Sequence, residues 1–367
     1  MNIAVDARPL CIENASGIPT YCRGLLNAIA KVDRENHYFL YAHRDFRWEG
    51  PGSFRWSKRT SKQMYGTVWL ETLTPSWMRQ DKIDIFWGTQ HVLPLWVPKK
   101  VRRVLTMHDL IYRRHPETMA LKNLCTSHCL VGPSVRRADV LIADTQNTAR
   151  DLSDLLHVDS ARIQVVYLGR DEDFKPTDNN TAKQKVREFT GHAEPFLLTV
   201  GTLEPRKNLA ATFRAFRRIA DRWPHALYVS GSKGWKMDSA LDPGPGLRER
   251  VRFLGYAPRS LMPALYSAAD VFLFPSLYEG FGIPVLEALA CGTPVVSSNT
   301  SSLPEIGGDA ALYMDPLDVG GFASNIERVL SDAGLRSGMI QRGLAHAEKF
   351  RWDEAARKMM DIFRLMS

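Results

Sequence analysis

Short apolar runs alternate with stretches of helical periodicity along almost the whole chain. The apolar runs predict two series of strands: Ile3–Val5, Tyr38–Tyr41, Ile83–Trp87, Arg103–Met107, Val140–Ala143 and Ile163–Val166, then Phe196–Val200, Ala226–Val229, Val251–Leu254, Val271–Phe274 and Pro294–Ser297. The helical patterns between them include Gly17–Lys31, Asn147–Leu156, Leu209–Asp221 and Pro284–Ala290. Such alternation is typical of parallel sheets with crossover helices, so we expect an α/β protein.

The alternation breaks once, in a polar segment from Asp171 to His192 that contains Pro176. Such a segment is typical of a domain boundary, and 367 residues fit two domains of ordinary size. We therefore predict an N-terminal Rossmann-like domain over residues 1–175 and a C-terminal one over residues 190–351. Doubly wound sheets bind ligands beyond the carboxyl ends of their strands, so we expect the site in a cleft between the two domains.

The composition excludes several classes of protein. Hydrophobic residues make up 44% of the chain and charged residues 24%, which excludes disordered and fibrous proteins. The five cysteines are irregularly spaced, so we expect no disulfide framework. Cys125, His128 and Cys129 lack a second ligand pair at zinc-finger spacing, which favours buried or helix-surface positions for them. The chain contains no run of 18 apolar residues, and its start is typical of a strand, so we expect neither a membrane span nor a signal peptide.

Positive charge is concentrated in one part of the chain. The formal net charge is +8, yet residues 44–137 alone contain 17 basic and 7 acidic side chains. A local excess of this kind indicates an anionic partner, which could be nucleic acid, an acidic membrane or a phosphorylated substrate. A solubilising face is the alternative.

Two candidate segments follow predicted strands of the first half. The turn Ala15–Pro19 contains Gly17, where the backbone of a helix N-terminus could approach an anion, although a plain turn is the alternative. His108 ends the strand Arg103–Met107 beside Asp109 and would project into the cleft. A structural histidine with satisfied hydrogen bonds is the other interpretation of His108.

Two further segments follow predicted strands of the second half. In Gly201–Asn208, the adjacent Arg206 and Lys207 form a cation pair suited to a pyrophosphate, with solvated surface charge as the alternative. In Tyr278–Ala288, Glu279 and Glu287 lie eight positions apart around a glycine-rich turn. Glu287 lies in an apolar helix and needs a partner, which could be the hydroxyls of a ribose or a structural Arg or Lys.

Taken together, these motifs resemble one known family. The segments "EGFGIPVLEALACGTPVV" and "GTLEPRKNL", with "TMHD", "ADVLIADTQNTARDL", "VVYLG" and "FRWDEAARKMMDIF", resemble the retaining glycosyltransferases of family 4 over nearly the whole chain. The resemblance implies the GT-B fold, in which two Rossmann-like domains face each other across a cleft. It also implies that a C-terminal helix, about residues 352–367, returns to the N-terminal domain.

The resemblance implies a role for each candidate residue. His108, Glu279, Arg206 and Lys207 are implied as catalytic, with Glu279 and His108 beside the donor sugar and the two cations on its diphosphate. Glu287 would hold the ribose. The other residues implied to bind the donor are Gly17, Gly201, Gly280, Phe281 and Gly282. Gly231, Ser232 and Tyr256 are the candidates for the pocket that holds its base.

One position departs from the family pattern. Many members have Arg directly after the glycine that corresponds to Gly201, and here that residue is Thr202. Arg206 could replace the missing charge; otherwise Lys207 would hold the diphosphate alone. We expect front-face transfer with retained configuration, without a cofactor and without a metal, since Asp171-Glu172-Asp173 only resembles a metal-binding D-x-D motif.

The resemblance also implies substrates. Members with "GTLEPRKN" are similar to bacterial mannosyltransferases of O-antigen and exopolysaccharide assembly, which implies GDP-mannose or a related GDP-deoxyhexose as the donor. The alternatives are a UDP- or dTDP-sugar donor, a sugar phosphorylase or an epimerase. A polyprenyl-diphosphate-linked glycan is the implied acceptor, so we expect a cytoplasmic protein at the inner face of the membrane. The basic stretch interleaves Trp56, Tyr65, Trp69, Trp77, Trp87 and Trp96, which suits anionic lipid better than nucleic acid. The alternative is that most of these tryptophans are core residues.

Overall fold

The chain forms two compact units in a computed structural model that describes residues 1–12, 17–48, 50, 55–62, 65–236 and 242–366. The first unit comprises Met1–Arg113, Leu121–Gly169 and Arg351–Ser367. The second comprises Arg114–Ala120 and Arg170–Phe350. Within the described ranges, no helix is both long enough and apolar enough to cross a bilayer.

The first unit is built on a sheet of seven parallel strands in the order β3-β2-β1-β4-β5-β6-β7. The strands are β1 Asn2–Asp6, β2 His37–Ala42, β3 Trp56–Thr60, β4 Ile85–Gly88, β5 Arg102–Met107, β6 Val140–Ala143 and β7 Ile163–Val165. The order reverses between β1 and β4, as in doubly wound folds.

The second unit has six parallel strands in the order β10-β9-β8-β11-β12-β13. The strands are β8 Phe196–Val200, β9 Ala226–Ser230, β10 Val251–Gly255, β11 Val271–Phe274, β12 Val295–Ser298 and β13 Ala311–Met314. The switch of order lies between β8 and β11, so loops that follow these two strands are adjacent at one edge of the sheet.

Helices connect the strands in both units. They are α1 Ile18–Val32, α2 Gly66–Thr72, α3 Thr74–Gln80, α4 Ile111–Arg114, α5 Leu121–Arg137, α6 Gln146–Leu156, α7 Asn179–Thr190, α8 Leu209–Ile219, α9 Met262–Ala268, α10 Ile283–Ala290, α11 Leu303–Gly307, α12 Val319–Ser331, α13 Ala333–Ala347 and α14 Trp352–Leu365. Helix α8 shows why they pack: its buried residues recur at helical spacing from Leu209 through Phe213 and Phe216, while Arg214 and Arg217 lie outside this apolar face.

The last helix, α14, belongs to the first unit and packs against α1. Glycines make room for its first residue, because a Cβ on Gly24 would lie 2.4 Å from the Trp352 ring and one on Gly169 would lie 2.2 Å from the Trp352 backbone nitrogen. At the other end of the helix, Phe363 meets Trp87 edge to face at 5.9 Å.

The predicted α/β class with two parallel sheets is confirmed, and all eleven predicted strands are present within two residues of their predicted bounds. Two strands were missed. β3 is an edge strand with the polar sequence WSKRT and little burial, and β13 is a four-residue edge strand. The polar sequence of β3 lacks the apolar run that marks a central strand, whereas β13 has the apolar sequence ALYM and was simply overlooked.

The predicted linker is wrong in one respect. The units divide after Gly169, and α7 occupies much of the segment from Asp171 to His192. Asp178 caps this helix by accepting from the Thr181 N–H at 3.0 Å. Only Ala182 and Val186 of the helix are buried, which is why its sequence is polar enough to be mistaken for a linker.

Most of the tryptophans named in the basic stretch are core residues, so the structure favours the core alternative over a series that faces lipid as a whole. Trp69, Trp77 and Trp87 are buried. Trp56 is half-buried and stacks on Tyr38 with 4.2 Å between ring centroids. Exposed members of the series are Tyr65 and Trp96.

Candidate functional site

The loop that follows β8 carries the predicted cation pair between two anchors. At its start, Gly201 has a φ of 146° and donates its N–H to the Ser230 carbonyl at 2.9 Å. At its end, Asn208 adopts a left-handed conformation, and its side-chain amide donates to the carbonyls of Pro275 at 3.2 Å and Pro316 at 2.9 Å. The cations between these anchors therefore have a fixed backbone.

Both cations meet Glu279 from the loop after β11. Lys207 Nζ lies 2.7 Å from Glu279 Oε1, and Arg206 Nη1 lies 2.5 Å from Oε2. On its other side, Arg206 donates from Nε at 2.9 Å and from Nη2 at 2.5 Å to Oε1 of Glu204. Nη1 also donates to the Tyr278 carbonyl at 2.9 Å. Two cations and two carboxylates thus form one cluster with no formal net charge.

The cluster is buried, so these charges interact strongly. Glu204 is 4% exposed and Glu279 is 7% exposed. Burial would raise the pKa of Glu279, but Arg206 and Lys207 outweigh it and lower the pKa to about 2. Burial lowers the pKa of Lys207, and Glu279 opposes that shift. The Lys207 ammonium also lies 4.6 Å from the centre of the Phe274 ring, a contact that does not depend on Glu279.

The turn that carries Glu279 is held by two serines. The Glu279 N–H donates to Ser301 Oγ at 2.8 Å, and Ser302 Oγ donates to the carbonyls of Glu279 at 3.0 Å and Phe281 at 2.8 Å. Gly282 ends the turn with a φ of 102°, and α10 begins at the next residue. Gly280 is also buried in this turn.

Glu287 points from α10 to two side chains of its own unit. Its Oε2 accepts from the Tyr266 hydroxyl at 3.0 Å, and its Oε1 lies 3.6 Å from Arg259 Nη1. Arg259 also pairs with Asp171, the first residue of the triplet that resembles a metal motif. Burial raises the pKa of Glu287 to about 7, although Arg259 opposes the shift. A structural arginine is therefore present beside Glu287.

Three strand-end loops lie side by side next to the cluster. Gly231 has a φ of 154°, and a Cβ there would lie 1.9 Å from the Gly201 carbonyl oxygen, so only glycine fits this approach. The Gly231 N–H donates to the Gly255 carbonyl at 2.8 Å. Ser232 and Tyr256, the other predicted base-pocket residues, are exposed on these loops. A small pocket beside Lys207 is lined by residues of the same region, including Gly201, Leu203, Ser230 and Phe274.

Gly17 and His108 belong to the first unit. Gly17 precedes α1 with a φ of 65°, and no atom lies within 4 Å of a Cβ placed there; its predicted neighbours Ala15 and Ser16 lie outside the described residues. His108 is 7% exposed. Its Nδ1 lies 2.6 Å from Asp144 Oδ2 and its Nε2 lies 2.8 Å from the Thr89 carbonyl oxygen.

The partners of His108 fix its protonation. A carbonyl oxygen can only accept, so Nε2 carries a proton and donates it to Thr89. One further proton lies between Nδ1 and the Asp144 carboxylate. Burial alone would lower the pKa of His108, but Asp144 raises it above its ordinary value. The His108 N–H donates to His91 Nε2 at 3.0 Å, so backbone and ring are all engaged within the first unit. This favours the structural interpretation of His108.

Several residues of these clusters were missed from the sequence, chiefly Glu204, Asp144, Tyr266, Arg259, Ser301 and Ser302. Glu204 is two residues from Arg206 and could have been considered for that reason alone. Asp144 directly follows β6, the strand that neighbours β5, and His108 directly follows β5. Both are polar residues at strand ends, which is the pattern that had selected His108.

Two protein-family models match the chain. The model described as Glycosyltransferase Family 4 matches residues 15–174. The model described as Glycosyl transferases group 1 matches residues 180–346, which lie within the second unit and include the cluster around Glu279.

Individual proteins and solved structures are also similar. The O-antigen chain mannosyltransferase B of Escherichia coli is 32% identical over 296 residues, which cover 79% of this chain and 77% of that protein. A D-inositol 3-phosphate glycosyltransferase of Salinispora tropica is 32% identical over 250 residues, 62% of this chain and 51% of that protein. The sucrose-phosphate synthase structure from Thermosynechococcus elongatus matches with a TM-score of 0.78 and 21% identity, over 100% of this chain and 98% of that one.

Proposed function

We propose a donor, an acceptor and a place of action for this chain. The chain belongs to the family 4 and group 1 glycosyltransferases of GT-B fold. It is a glycosyltransferase, and the proposed reaction is retaining transfer of mannose from GDP-mannose, or of a related GDP-deoxyhexose, to a growing glycan of O-antigen or exopolysaccharide type. The similarity to the Escherichia coli mannosyltransferase supports the choice of sugar. The observation that carries the proposal is the cluster of Arg206, Lys207 and Glu279 at the strand ends of the second unit.

In the proposed reaction, Lys207 and Arg206 bind the diphosphate of the donor. Negative charge grows on this leaving group as the bond to the sugar breaks, so fixed cations stabilise the transition state more than the ground state. The departing phosphate oxygen accepts the proton of the acceptor hydroxyl in a front-face displacement, and the configuration at the sugar carbon is retained. The two cations supply the positive charge for this step, which leads us to propose a reaction without a metal or other cofactor.

Other residues of the second unit would hold the rest of the donor. Glu279 and the turn Gly280–Gly282 are proposed to contact the sugar, and the carboxylate of Glu287 to accept from the ribose hydroxyls. Arg259 and Tyr266 already contact Glu287 and would orient it for this contact. Ser232 and Tyr256 are exposed beside the glycine loops and remain the proposed base contacts.

The proposed acceptor is a polyprenyl-diphosphate-linked glycan at the inner face of the cytoplasmic membrane. An exposed apolar segment in the basic stretch supports this: Trp96 is 74% exposed and Leu95 is 47% exposed. Leu95 is fixed through its N–H, which donates to Glu71 Oε2 at 2.7 Å. Lys99 and Lys100 follow and are exposed. An apolar tip with adjacent lysines suits an anionic lipid surface.

Vesicle sedimentation tests the membrane proposal. Binding to vesicles that contain phosphatidylglycerol should weaken as salt is raised, because the attraction of exposed lysines to anionic lipid is screened. At a given salt concentration, Trp96→Ala should bind these vesicles more weakly than the wild type does. Leu317→Ala, which removes an exposed apolar side chain of the second unit, should bind them like the wild type. Binding that ignores both lipid charge and salt would contradict the proposal.

A panel of nucleotide sugars tests the donor. We expect GDP-mannose or a GDP-deoxyhexose to raise the melting temperature and to be hydrolysed slowly, with the sugar released in its α configuration if the donor is α-linked. Stabilisation by UDP- or dTDP-sugars alone would contradict the proposed donor. Release of a sugar phosphate or of an epimerised nucleotide sugar would identify a phosphorylase or an epimerase instead.

A further inference from the structure

The charge balance of the cluster around Lys207 has a consequence for ligand exchange. Arg206 and Lys207 are neutralised by Glu204 and Glu279, and all four side chains have little solvent exposure. A diphosphate that entered with all four in place would add at least two negative charges next to two buried carboxylates. Like charges at that distance in a buried site repel strongly.

The two carboxylates are not equivalent. Glu204 accepts from Nε and Nη2 of Arg206 and comes from the same loop, two residues away. Glu279 faces Nη1 of Arg206 and the Lys207 ammonium, and it comes from another loop. Displacement of Glu279 alone therefore frees a donor on both cations, whereas displacement of Glu204 frees only one side of Arg206.

The backbone of Glu279 and the position of Lys207 are each held by contacts that do not involve the Glu279 carboxylate. The Glu279 backbone is held by Ser301 and Ser302, so a rotation of the side chain need not disturb the turn. Lys207 keeps its contact with the Phe274 ring, and its stem lies against Gly201, where a Cβ would be 3.0 Å from Lys207 Cε. With its pKa near 2, Glu279 stays ionised at neutral pH, so an incoming anion has to displace it as a carboxylate.

We propose that Glu279 is an internal competitor of the donor diphosphate: it leaves the cations when a nucleotide sugar binds and returns to them to expel the nucleoside diphosphate product. The proposal rests on the proposed function. A nucleotide sugar offers the displaced carboxylate the hydroxyls of its sugar as new partners. A nucleoside diphosphate offers none, so Glu279 competes more effectively against the product than against the donor.

Calorimetric titration of the full chain with inorganic pyrophosphate and with GDP tests this proposal. Glu279→Gln should bind both about tenfold more tightly than the wild type, since loss of one charged contact to the cations changes an equilibrium by about that factor. The same variant should bind GDP-mannose with a smaller gain, and its transfer rate should fall. Affinity for product and activity thus move in opposite directions.

Two variants with the same change of formal charge serve as controls. Glu204→Gln should change pyrophosphate affinity by less than about threefold, because Glu204 hydrogen-bonds Arg206 through Nε and Nη2 and acts on Lys207 only through a weaker electrostatic effect than that of Glu279. Glu327→Gln alters a carboxylate of helix α12 that pairs with Arg222, and it should leave pyrophosphate affinity unchanged. Equal tightening in all three variants would show a general effect of charge and overturn the proposal.

The remaining outcomes separate this proposal from the proposed function. If Glu279→Gln binds pyrophosphate as weakly as the wild type, or more weakly, the exchange is refuted, while the diphosphate site stands as long as Lys207→Ala loses affinity. If Lys207→Ala and the wild type bind pyrophosphate and GDP equally, the proposed diphosphate site itself is refuted. Should Glu279→Gln fail to fold, Glu279→Asp, whose shorter side chain cannot reach both cations, should show the same tightening to a smaller degree.

Discussion

Each unit places a buried charged cluster at the carboxyl edge of a parallel sheet, and the two clusters differ in how their partners are arranged. In the second unit, Glu279 is shared between two cations that retain 15–18% of their side-chain exposure. In the first unit, His108 and Asp144 have side-chain exposures of 8% and 3%. The Thr89 carbonyl engages the remaining ring nitrogen of His108.

This difference indicates different uses for similar chemistry. The contacts of Glu279 bridge loops that are 72 residues apart in the sequence and can be exchanged for contacts with a ligand. The contacts of His108 join the ends of the adjacent strands β5 and β6 and the segment after β4. If His108 gave up these contacts for a ligand, Asp144 and the Thr89 carbonyl would be left buried without their partner. The Glu279 cluster of the second unit is therefore suited to binding a ligand. The His108 cluster of the first unit is suited to holding the edge of its sheet together.

Loss of Lys207 should have the largest effect. We expect Lys207→Ala to lower sugar transfer by a factor of about 10²–10³, the usual result of removing one fixed group that stabilises developing negative charge. Lys185→Ala, an exposed lysine of α7, is the matched control and should leave transfer unchanged. Steady-state transfer assays measure both; a Lys207→Ala rate within about twofold of the wild type would contradict the binding role of the cluster.

Loss of Asp144 should reduce stability instead of nucleotide binding. Asp144→Ala leaves His108 with an unpaired buried nitrogen and should cost about 3 kcal/mol of unfolding free energy, whereas Asp144→Asn should cost less because an amide can donate to Nδ1. Urea unfolding followed by tryptophan fluorescence reports mainly on the first unit, since seven of the nine tryptophans lie there.

The same pair predicts a pH dependence of stability. The pKa of His108 is raised in the folded chain, so its contribution is complete below about pH 6.5 and is lost as the pH rises through the folded value. Asp144→Ala should remove this dependence while the affinity for GDP stays unchanged. A large loss of GDP affinity in Asp144→Asn would show that the two clusters are not separate in function.

The smallest expected effect concerns Glu287. Its pKa of about 7 means that the carboxylate forms only as the pH rises through neutrality, so GDP affinity should increase about fivefold between pH 6 and pH 8 through stronger acceptance from the ribose. The phosphate groups of GDP also titrate in this range. Their contribution is the same for both proteins, so it cancels when the GDP affinity of the wild type is divided by that of Glu287→Gln at each pH. A ratio that does not vary with pH would refute the ribose contact.

The sequence predicted the sheets well and the clusters only in part. Central strands such as β5 and β8 contain buried runs with apolar residues on both faces, which makes them easy to detect. Polar residues at their ends were selected as candidates for that reason. Strand order was not predictable, so neither the direct ion pair of Glu279 with Lys207 nor the contact of Asp144 with His108 was predicted. Glu204 was missed because its contact with Arg206 depends on a single 3₁₀ turn, Pro205–Lys207.

The position of α14 affects how the chain folds during synthesis. Trp352 fills the space beside Gly24 and Gly169, yet it is made only after residues 170–350, which form nearly all of the second unit. At about 5–20 residues per second, the ribosome needs roughly 10–35 s to translate that interval. For that time the apolar face of α1 has no partner from the C-terminal segment, so the first unit can be completed only after the second unit has been synthesised.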